Sequence, residues 1–170
     1  CSGDGNVGFL AGAEFRIGRE ARYQTKETLA PDRPDNQIYG TTIIWQSEPK
    51  ATSVTFPACE WAIQFTEESS YKMTRGDVFW ETGFYNDPIL DAEFNRDYLF
   101  RAIYGNWAFL KNKSAQKNEY ANRELSFLGH IAGKRESRRL TGDVLFTQSD
   151  IEGAYVKYDD AIVTGTYPID

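Results

Sequence analysis

Residues 87–112 read DPILDAEFNRDYLFRAIYGNWAFLKN and predict the longest helix of the chain. Asp87 suits the N-cap, because a carboxylate there accepts a hydrogen bond from a free backbone N–H, and Pro88 suits the first helical position, where no N–H is needed. Apolar side chains recur every three to four residues, as they do along the buried face of a helix. The main row is Leu90, Phe94, Tyr98 and Ala102, with Leu99, Ile103 and Leu110 beside it. We therefore expect a helix over about 88–112 that ends at 112–114 and packs this row into the core.

Short runs of β-branched and aromatic residues lie on both sides of this helix, and such residues favour strands. The runs before the helix are 41–45, 53–56, 61–65 and 77–83, and those after it are 125–131, 143–146 and 161–165. Turn residues separate the runs, which favours antiparallel pairing. The expected fold class is α+β, with a mostly antiparallel sheet, one long helix and short helices.

The two ends of the chain carry the signals for the short helices. Residues 6–15 follow a glycine turn and place Phe9, Leu10 and Ala13 on one helical face. Residues 147–150 carry a capping pattern, in which Thr147 is followed three positions later by an acidic residue. The polar, proline-containing stretch 18–38 predicts a loop.

Composition excludes several classes of function. At 170 residues the chain is long enough to bury a core, and its net charge of −6 disfavours nucleic acid as a partner. No apolar run approaches the ~20 residues that span a bilayer. Two cysteines, Cys1 and Cys59, and a single histidine, His130, form neither a disulfide framework nor a metal site. We expect one domain with no metal.

The N-terminal stretch Ser2-Gly3-Asp4-Gly5 predicts a turn in which backbone N–H groups approach a polar ligand. Asp4 can cap the following helix or accept a hydrogen bond from a ribose or ribityl hydroxyl. A plain glycine turn accounts for the same residues equally well. Cysteine followed by small polar residues is also typical of a mature bacterial lipoprotein, although an apolar helix rather than a tether follows here.

Residues 133–143, GKRESRRLTGD, contain four cations and one carboxylate between Lys134 and Arg139. Arg135 with Arg138, or Arg135 with Arg139, can present planar forks to a carboxylate or phosphate, while Glu136 orients one of them. A solvated or ion-paired face is the commoner role of such a run. Glycines around the block and adjoining apolar strands favour a position at the rim of a site.

Other candidates are weaker. His130 close to the block is either a hydrogen-bonded structural histidine or the one imidazole able to take a substrate proton near neutral pH. Tryptophans at positions 45, 61, 80 and 107 can line a glycan or flavin site, but most are expected in the core.

Four blocks together resemble the FAD-dependent oxidoreductase family of the glutathione-reductase-like flavoprotein superfamily, some of whose members carry xanthan-lyase-type labels. The blocks are Cys1–Asn6 with Leu10–Ala13, Gly18–Arg22 with Leu29–Pro31, Gly133–Asp143, and Tyr167–Asp170. Their order and spacing match the family over essentially the whole chain, and the arginine block is the most specific of them.

The resemblance implies that Ser2, Gly3, Asp4 and Gly5 lie close to FAD. It also implies a division into the end of an FAD-binding element (1–22), a substrate-side sheet and helix (23–132), and a return toward the FAD domain (133–170). No G-x-G-x-x-G follows a predicted strand, so the unit that holds the ADP half of FAD is missing. The chain is therefore expected to be an internal segment that binds FAD negligibly alone, while the longer protein binds it.

The resemblance further implies hydride transfer from a small polar substrate, with carbohydrates among the candidates, to the flavin. Arg135 and Arg139 are the expected anion-binding groups of the catalytic set, Glu136 orients them and His130 takes a proton. Arg19 and Arg138 are expected to bind substrate, with Glu20 as the neighbour of Arg19. The expected partners are the small-molecule substrate and the FAD-binding part of the longer protein, without nucleic acid or a membrane span, in the cytoplasm or the periplasm.

The alternative from another class is a lipid-anchored, β-rich glycan-binding module without catalytic activity. In that case Cys1 is acylated and exposed tryptophans stack on sugars. The gene sequence upstream of Cys1 discriminates the two interpretations, since a signal with a lipobox supports the module and a strand with G-x-G-x-x-G supports the flavoprotein.

Overall fold

A computed structural model describes residues 3–76, 80–153, 159 and 165 and confirms the α+β class. Within these residues the helices are α1 (Asn6–Leu10), α2 (Arg22–Thr25), α3 (Ala92–Asn112), α4 (Lys117–Tyr120) and α5 (Gln148–Glu152). The strands are β1 (Phe15–Arg16), β2 (Thr41–Thr42), β3 (Trp45–Pro49), β4 (Arg75–Gly76), β5 (Glu81–Thr82), β6 (Arg123–Leu128) and β7 (Arg139–Leu140). All their pairings are antiparallel, but they form small separate sheets, β1–β7, β2–β5 and β4–β3–β6, where one sheet was expected.

The chain divides into two compact units. The first contains the described residues of Gly5–Ile38 and Arg138–Asp170, and the second those of Ser2–Asp4 and Tyr39–Ser137. The second unit therefore holds the long helix and the three-stranded sheet. The first holds β1, β7 and three short helices.

Helix α3 begins later than the sequence predicts. The carboxylate of Asp87 accepts hydrogen bonds from the backbone N–H groups of Ile89 (2.8 Å) and Leu90 (2.9 Å), so it caps a separate turn. Asp91 is the N-cap of α3 proper, which ends at Asn112 as expected. The predicted end of the helix is confirmed, whereas the predicted N-cap is wrong, because Asp87 caps a separate turn that precedes the helix.

The buried face of α3 is not the row that the sequence favours. Leu90 and Phe94 are 84% and 66% exposed, whereas Leu99 and Ile103 are each 1% exposed. The row described as secondary therefore faces the core, and of the favoured row Ala102 is buried as well, at 3% exposed. It packs in a cluster of buried residues that comprises Ile43, Trp45, Leu99, Ile103, Trp107, Phe109, Leu110 and Tyr120. Among the described residues this is the main core, and it belongs to the second unit.

Three predicted strands are wrong. Residues 53–56 and 61–65 form no strand, and 143–146 precede α5 as an exposed segment. Ile63 instead donates its N–H to the carbonyl of Arg101 in α3 (3.1 Å), and a Cβ at Gly105 would collide with the Ile63 carbonyl. This segment therefore crosses the helix, which removes it from a sheet. Of the expected strand 77–83, Glu81–Thr82 form β5 and residues 77–79 lie outside the described residues, while the expected strand 161–165 lies outside them except for position 165.

The first unit is built from local turns. Helix α1 ends at Leu10, earlier than the predicted 6–15, and Phe15 pairs in β1. Thr147 caps α5 reciprocally with Asp150, which confirms the capping pattern. Among the described residues of this unit, Ala21 is the one buried hydrophobic side chain. The described part of this unit is therefore held by backbone and ionic contacts more than by a core.

Candidate functional site

The arginine block runs through both units and is held by backbone pairing in each. In the second unit, Gly133 exchanges two hydrogen bonds with Thr42, at 3.1 and 2.8 Å, and the Glu136 carbonyl accepts from the N–H of Tyr39 (3.2 Å). In the first unit, β7 pairs with β1, with Leu140 opposite Phe15 and Arg139 opposite Arg16. The block is therefore an extended segment that backbone hydrogen bonds hold in each unit.

Arg135 lies in the second unit between an aromatic ring and a carboxylate. Its guanidinium carbon is 4.4 Å from the centroid of the Tyr39 ring, a cation–π distance. Its Nη1 is 3.4 Å from Oε1 of Glu81, the oxygen that also accepts from the N–H of Gly40 (2.8 Å). The carbonyl of Glu136 accepts a hydrogen bond from the backbone of Tyr39, the residue whose ring contacts Arg135.

The N-terminal turn lies against the same block. In the second unit, Gly3 adopts φ +70° and an added Cβ would sit 3.6 Å from the carbonyl oxygen of Lys134. Asp4 is buried, and its carbonyl accepts from Oγ of Ser137 at 3.5 Å. The two motifs that the sequence singles out are thus neighbours in space. Ser2 lies outside the described residues.

Gly5 and Arg138 make the corresponding contact in the first unit. Gly5 has φ +66°, and a Cβ there would stand 2.9 Å from the Arg138 carbonyl oxygen, so the close approach requires glycine. The Arg138 guanidinium lies over the rings of Phe9 (4.9 Å) and Phe15 (5.5 Å). Arg138 therefore lies on an aromatic surface of α1 and β1.

Arg139 and Arg16 are directly opposite each other in the β1–β7 ladder and share one carboxylate. Glu20 accepts from Arg16 Nη1 on Oε1 (2.5 Å) and from Arg139 Nη2 on Oε2 (2.8 Å). Arg139 also donates to the carbonyl of Gly18. Partial burial raises the pKa of Glu20, but the hydrogen bond from Arg139 and the charges of both arginines outweigh it, so the pKa lies below its usual value.

Arg19 pairs with Asp35, not with its neighbour Glu20. The guanidinium donates from Nε to Oδ1 (3.2 Å) and from Nη2 to Oδ2 (2.6 Å), a bidentate fork. The hydrogen bond from Arg19 lowers the pKa of Asp35 below its usual value. Gly18, at φ +83°, allows the crossing, because a Cβ there would collide with the Asp35 carbonyl.

These side chains line an open cleft of about 500 Å³ in the first unit, which we call the arginine cleft. Its lining residues are Arg16, Ile17, Arg19, Glu20, Gln24, Pro34, Asp35, Asn36 and Arg139. Of the sequence-predicted site residues, it brings together Arg19 and Arg139. Sequence reasoning missed Arg16 and Asp35, although the i,i+4 spacing of Arg16 and Glu20 was a usable signal for the first.

The remaining candidates lie elsewhere. His130 is an exposed residue of the second unit between β6 and the block, and its side chain makes no hydrogen bond or ion pair within residues 3–76 and 80–153. Trp45 and Trp107 are buried in the core and Trp80 packs against it, whereas Trp61 is exposed against Tyr104. The expectation that most tryptophans serve packing is confirmed.

Residues 3–8, Gly3-Asp4-Gly5-Asn6-Val7-Gly8, have the spacing G-x-G-x-x-G and open helix α1, a match that the sequence reasoning did not use. The structure nevertheless gives these glycines other roles. A Cβ on Gly8 would collide with the Leu140 side chain, and α1 has only five residues. The strands described are paired antiparallel, whereas a dinucleotide site needs a parallel βαβ unit.

FAD therefore does not fit the described residues as a complete site. Its ADP half has no βαβ unit to hold it in that part of the chain. Gly3 carries no side chain, so the cofactor can approach the backbone of this turn. That fits a single contact with FAD.

Comparison with known proteins identifies one matching family. A family model described as "FAD dependent oxidoreductase" matches residues 1–170. No curated protein and no solved structure matches the chain. The described residues contain neither a cluster of potential metal ligands nor a helix long and apolar enough to cross a membrane.

Proposed function

Because the chain belongs to the FAD dependent oxidoreductase family, we propose that it forms part of a flavoenzyme that transfers a hydride from a small polar substrate to FAD. The match over residues 1–170 is the observation that carries the proposal. FAD supplies the two-electron acceptor in such an enzyme. The protein's task is then to bind and orient the substrate and to manage its proton.

In this proposal the flavin is bound mainly by residues of a longer protein. The reason is the missing βαβ unit in the described residues. The segment Ser2–Gly5 contributes a cofactor contact, supported by the left-handed backbone of Gly3 and Gly5 and by the packing of this turn on the arginine block. The xanthan-lyase-type label of some relatives stays a prediction.

The block supplies the anion-binding groups. Arg135 and Arg139 are both ion-paired and both partly exposed, at 30% and 48% of the side chain, so each can offer N–H donors to a ligand while a carboxylate holds it. Glu136 positions Arg135 through the backbone of Tyr39. Arg19 and Arg138 contribute substrate contacts.

His130 is the proposed acceptor of a substrate hydroxyl proton. Its exposure makes it accessible, and it is the single histidine of the chain. Removal of a hydroxyl proton as the C–H hydride leaves converts an alcohol into a carbonyl, so the proton and the electron pair are both accounted for.

The test is to titrate FAD into the 170-residue chain and into the longer protein, with binding monitored by flavin fluorescence. We expect saturable binding by the longer protein and none by the chain alone below about 100 μM. Arg135→Ala in the longer protein should retain the yellow flavin spectrum and lose at least about tenfold in substrate-dependent flavin bleaching.

Arg101→Ala is the matched control, because Arg101 is an exposed arginine of the second unit without an ion pair in the described residues. It should behave as the unmodified protein. A colourless Arg135→Ala protein would show that Arg135 holds the cofactor or the fold. Micromolar FAD binding by the isolated chain would contradict the division of the flavin site.

A further inference from the structure

The arginine cleft is lined by three guanidinium groups, those of Arg16, Arg19 and Arg139, and by two carboxylates, those of Glu20 and Asp35. Two of the three cations stand directly opposite each other in an antiparallel ladder, an arrangement in which like charges repel. A single carboxylate, that of Glu20, compensates both.

The donors of this pair are only partly used. A guanidinium has five N–H groups, and in the described residues Arg16 makes one hydrogen bond, to Glu20, while Arg139 uses Nη2 alone, toward Glu20 and Gly18. The side chains of all three arginines are 44–48% exposed. Exposed ion pairs contribute little to stability, so an incoming anion can compete for these donors.

We propose that the arginine cleft binds a small organic anion, whose carboxylate or phosphate group is held by Arg16 and Arg139, with Arg19 also lining the cleft. The proposal rests on the proposed function and deepens it, because it names the chemical class of the substrate that the arginines hold. It also adds Arg16 to the binding residues.

The rest of the cleft suits the carbon part of such a molecule. Ile17 and Pro34 present apolar surface, and Gln24 has its Oε1 engaged by the N–H of Ala21 (2.9 Å), which leaves the amide NH₂ as donor. A volume of about 500 Å³ is in the range of small-molecule sites. The net charge of −6 disfavours a polyanion such as nucleic acid, so a small anion is the ligand that fits.

The experiment is calorimetric titration of the chain with inorganic phosphate and, separately, with succinate, which distinguishes the two oxyanions. Succinamide, the neutral isostere, is the control ligand. We expect saturable binding of at least one oxyanion with a Kd of about 1 mM or tighter, and no binding of succinamide.

Arg16→Gln should weaken that binding about tenfold, because it removes one fork of the opposed pair. Arg33→Gln is the matched control, since Arg33 is an exposed arginine of the same unit outside the cleft. It should stay within about twofold of the unmodified chain. If Arg16→Gln alters the circular dichroism spectrum, Arg139→Lys takes its place, because it keeps the charge and loses the planar fork.

The proposal is overturned if neither oxyanion binds saturably below about 10 mM, or if Arg33→Gln weakens binding as much as Arg16→Gln. These measurements need no flavin. If the longer protein does not bind FAD, the oxyanion titrations are unaffected. If neither oxyanion binds, the result of the FAD titration is equally unaffected.

Discussion

At the scale of the residue, the cations of this chain are predictable and their partners are not. The sequence identifies Arg135 and Arg139 and offers Glu136 as their neighbour. The structure pairs them with Glu81 and Glu20 instead. Ion pairs form between side chains that the fold brings within about 4 Å, and adjacent residues of an extended segment point to opposite faces. The hydrogen bond that the structure describes for Glu136 is the one that its carbonyl accepts from Tyr39.

The pair Arg19–Asp35 makes the first unit sensitive to acid. Because the hydrogen bond from Arg19 lowers the pKa of Asp35 in the folded state, its contribution to stability is complete above the unfolded value of about 3.9. It is lost as the pH falls through the lower folded value. We expect the melting temperature of the first unit to fall more between pH ~5 and pH ~2.5 in the unmodified chain than in Asp35→Asn, which lacks the titrating group.

The measurement is thermal unfolding by circular dichroism across that pH range. The pair is exposed, so the difference between the two proteins should stay below about 1 kcal/mol. Asp32→Asn is the control, since Asp32 is 89% exposed and its contact with Arg22 is long, at 3.5 Å. Parallel pH profiles for Asp35→Asn and the unmodified chain would refute this account.

At the scale of the element, helix α3 shows what periodicity can and cannot decide. Its type and its end follow from the spacing of its apolar residues, but its first residue is Ala92 and not Pro88, and apolar residues surround its N-terminal half. Leu90, Phe94 and Tyr98 are as regular a row as Leu99, Ile103 and Leu110. Which row is buried depends on where the sheet β4–β3–β6 lies, and that contact is long-range. The predicted strand at 61–65 is wrong for a similar reason, because the N–H of Ile63 donates to a carbonyl of α3 and not to a neighbouring strand.

Truncating a side chain of the buried row should therefore lower the free energy of unfolding more than truncating one of the exposed row. Leu99→Ala removes a fully buried side chain from the core cluster and should destabilise the second unit by about 2–5 kcal/mol. Phe94→Ala removes an exposed ring from the same helix and should change stability by no more than about 0.5 kcal/mol. Urea unfolding followed by tryptophan fluorescence reports on both, because Trp107 lies in the core. Equal losses for the two variants would contradict the unequal burial of Leu99 and Phe94.

At the scale of the whole molecule, the two units differ in how they are stabilised. The aromatic and aliphatic core belongs to the second unit, and the described part of the first contains Ala21 as its buried hydrophobic side chain. The sequence predicted the α+β class, the capped helix α5 and the family blocks at both ends. It could not predict that these blocks pack on each other within each unit, since that follows from chain reversal over more than a hundred residues.

The difference in buried apolar side chains between the two units predicts a difference in their rates of amide hydrogen exchange. Opening free energy follows the apolar contacts that a segment must lose, so the amides of α3 from Leu99 to Leu110 should require opening of the core. Those of β1 and β7 need only the loss of a two-residue ladder and the exposed ion pairs of Glu20. We expect exchange in β1 and β7 to be at least about a hundredfold faster than in α3. An anion bound in the arginine cleft should slow exchange of the β1 and β7 amides and leave exchange in α3 unchanged, because a ligand stabilises the structure it binds. Mass spectrometry with and without succinate measures both effects, and equal protection of the two units would mean that they unfold as one.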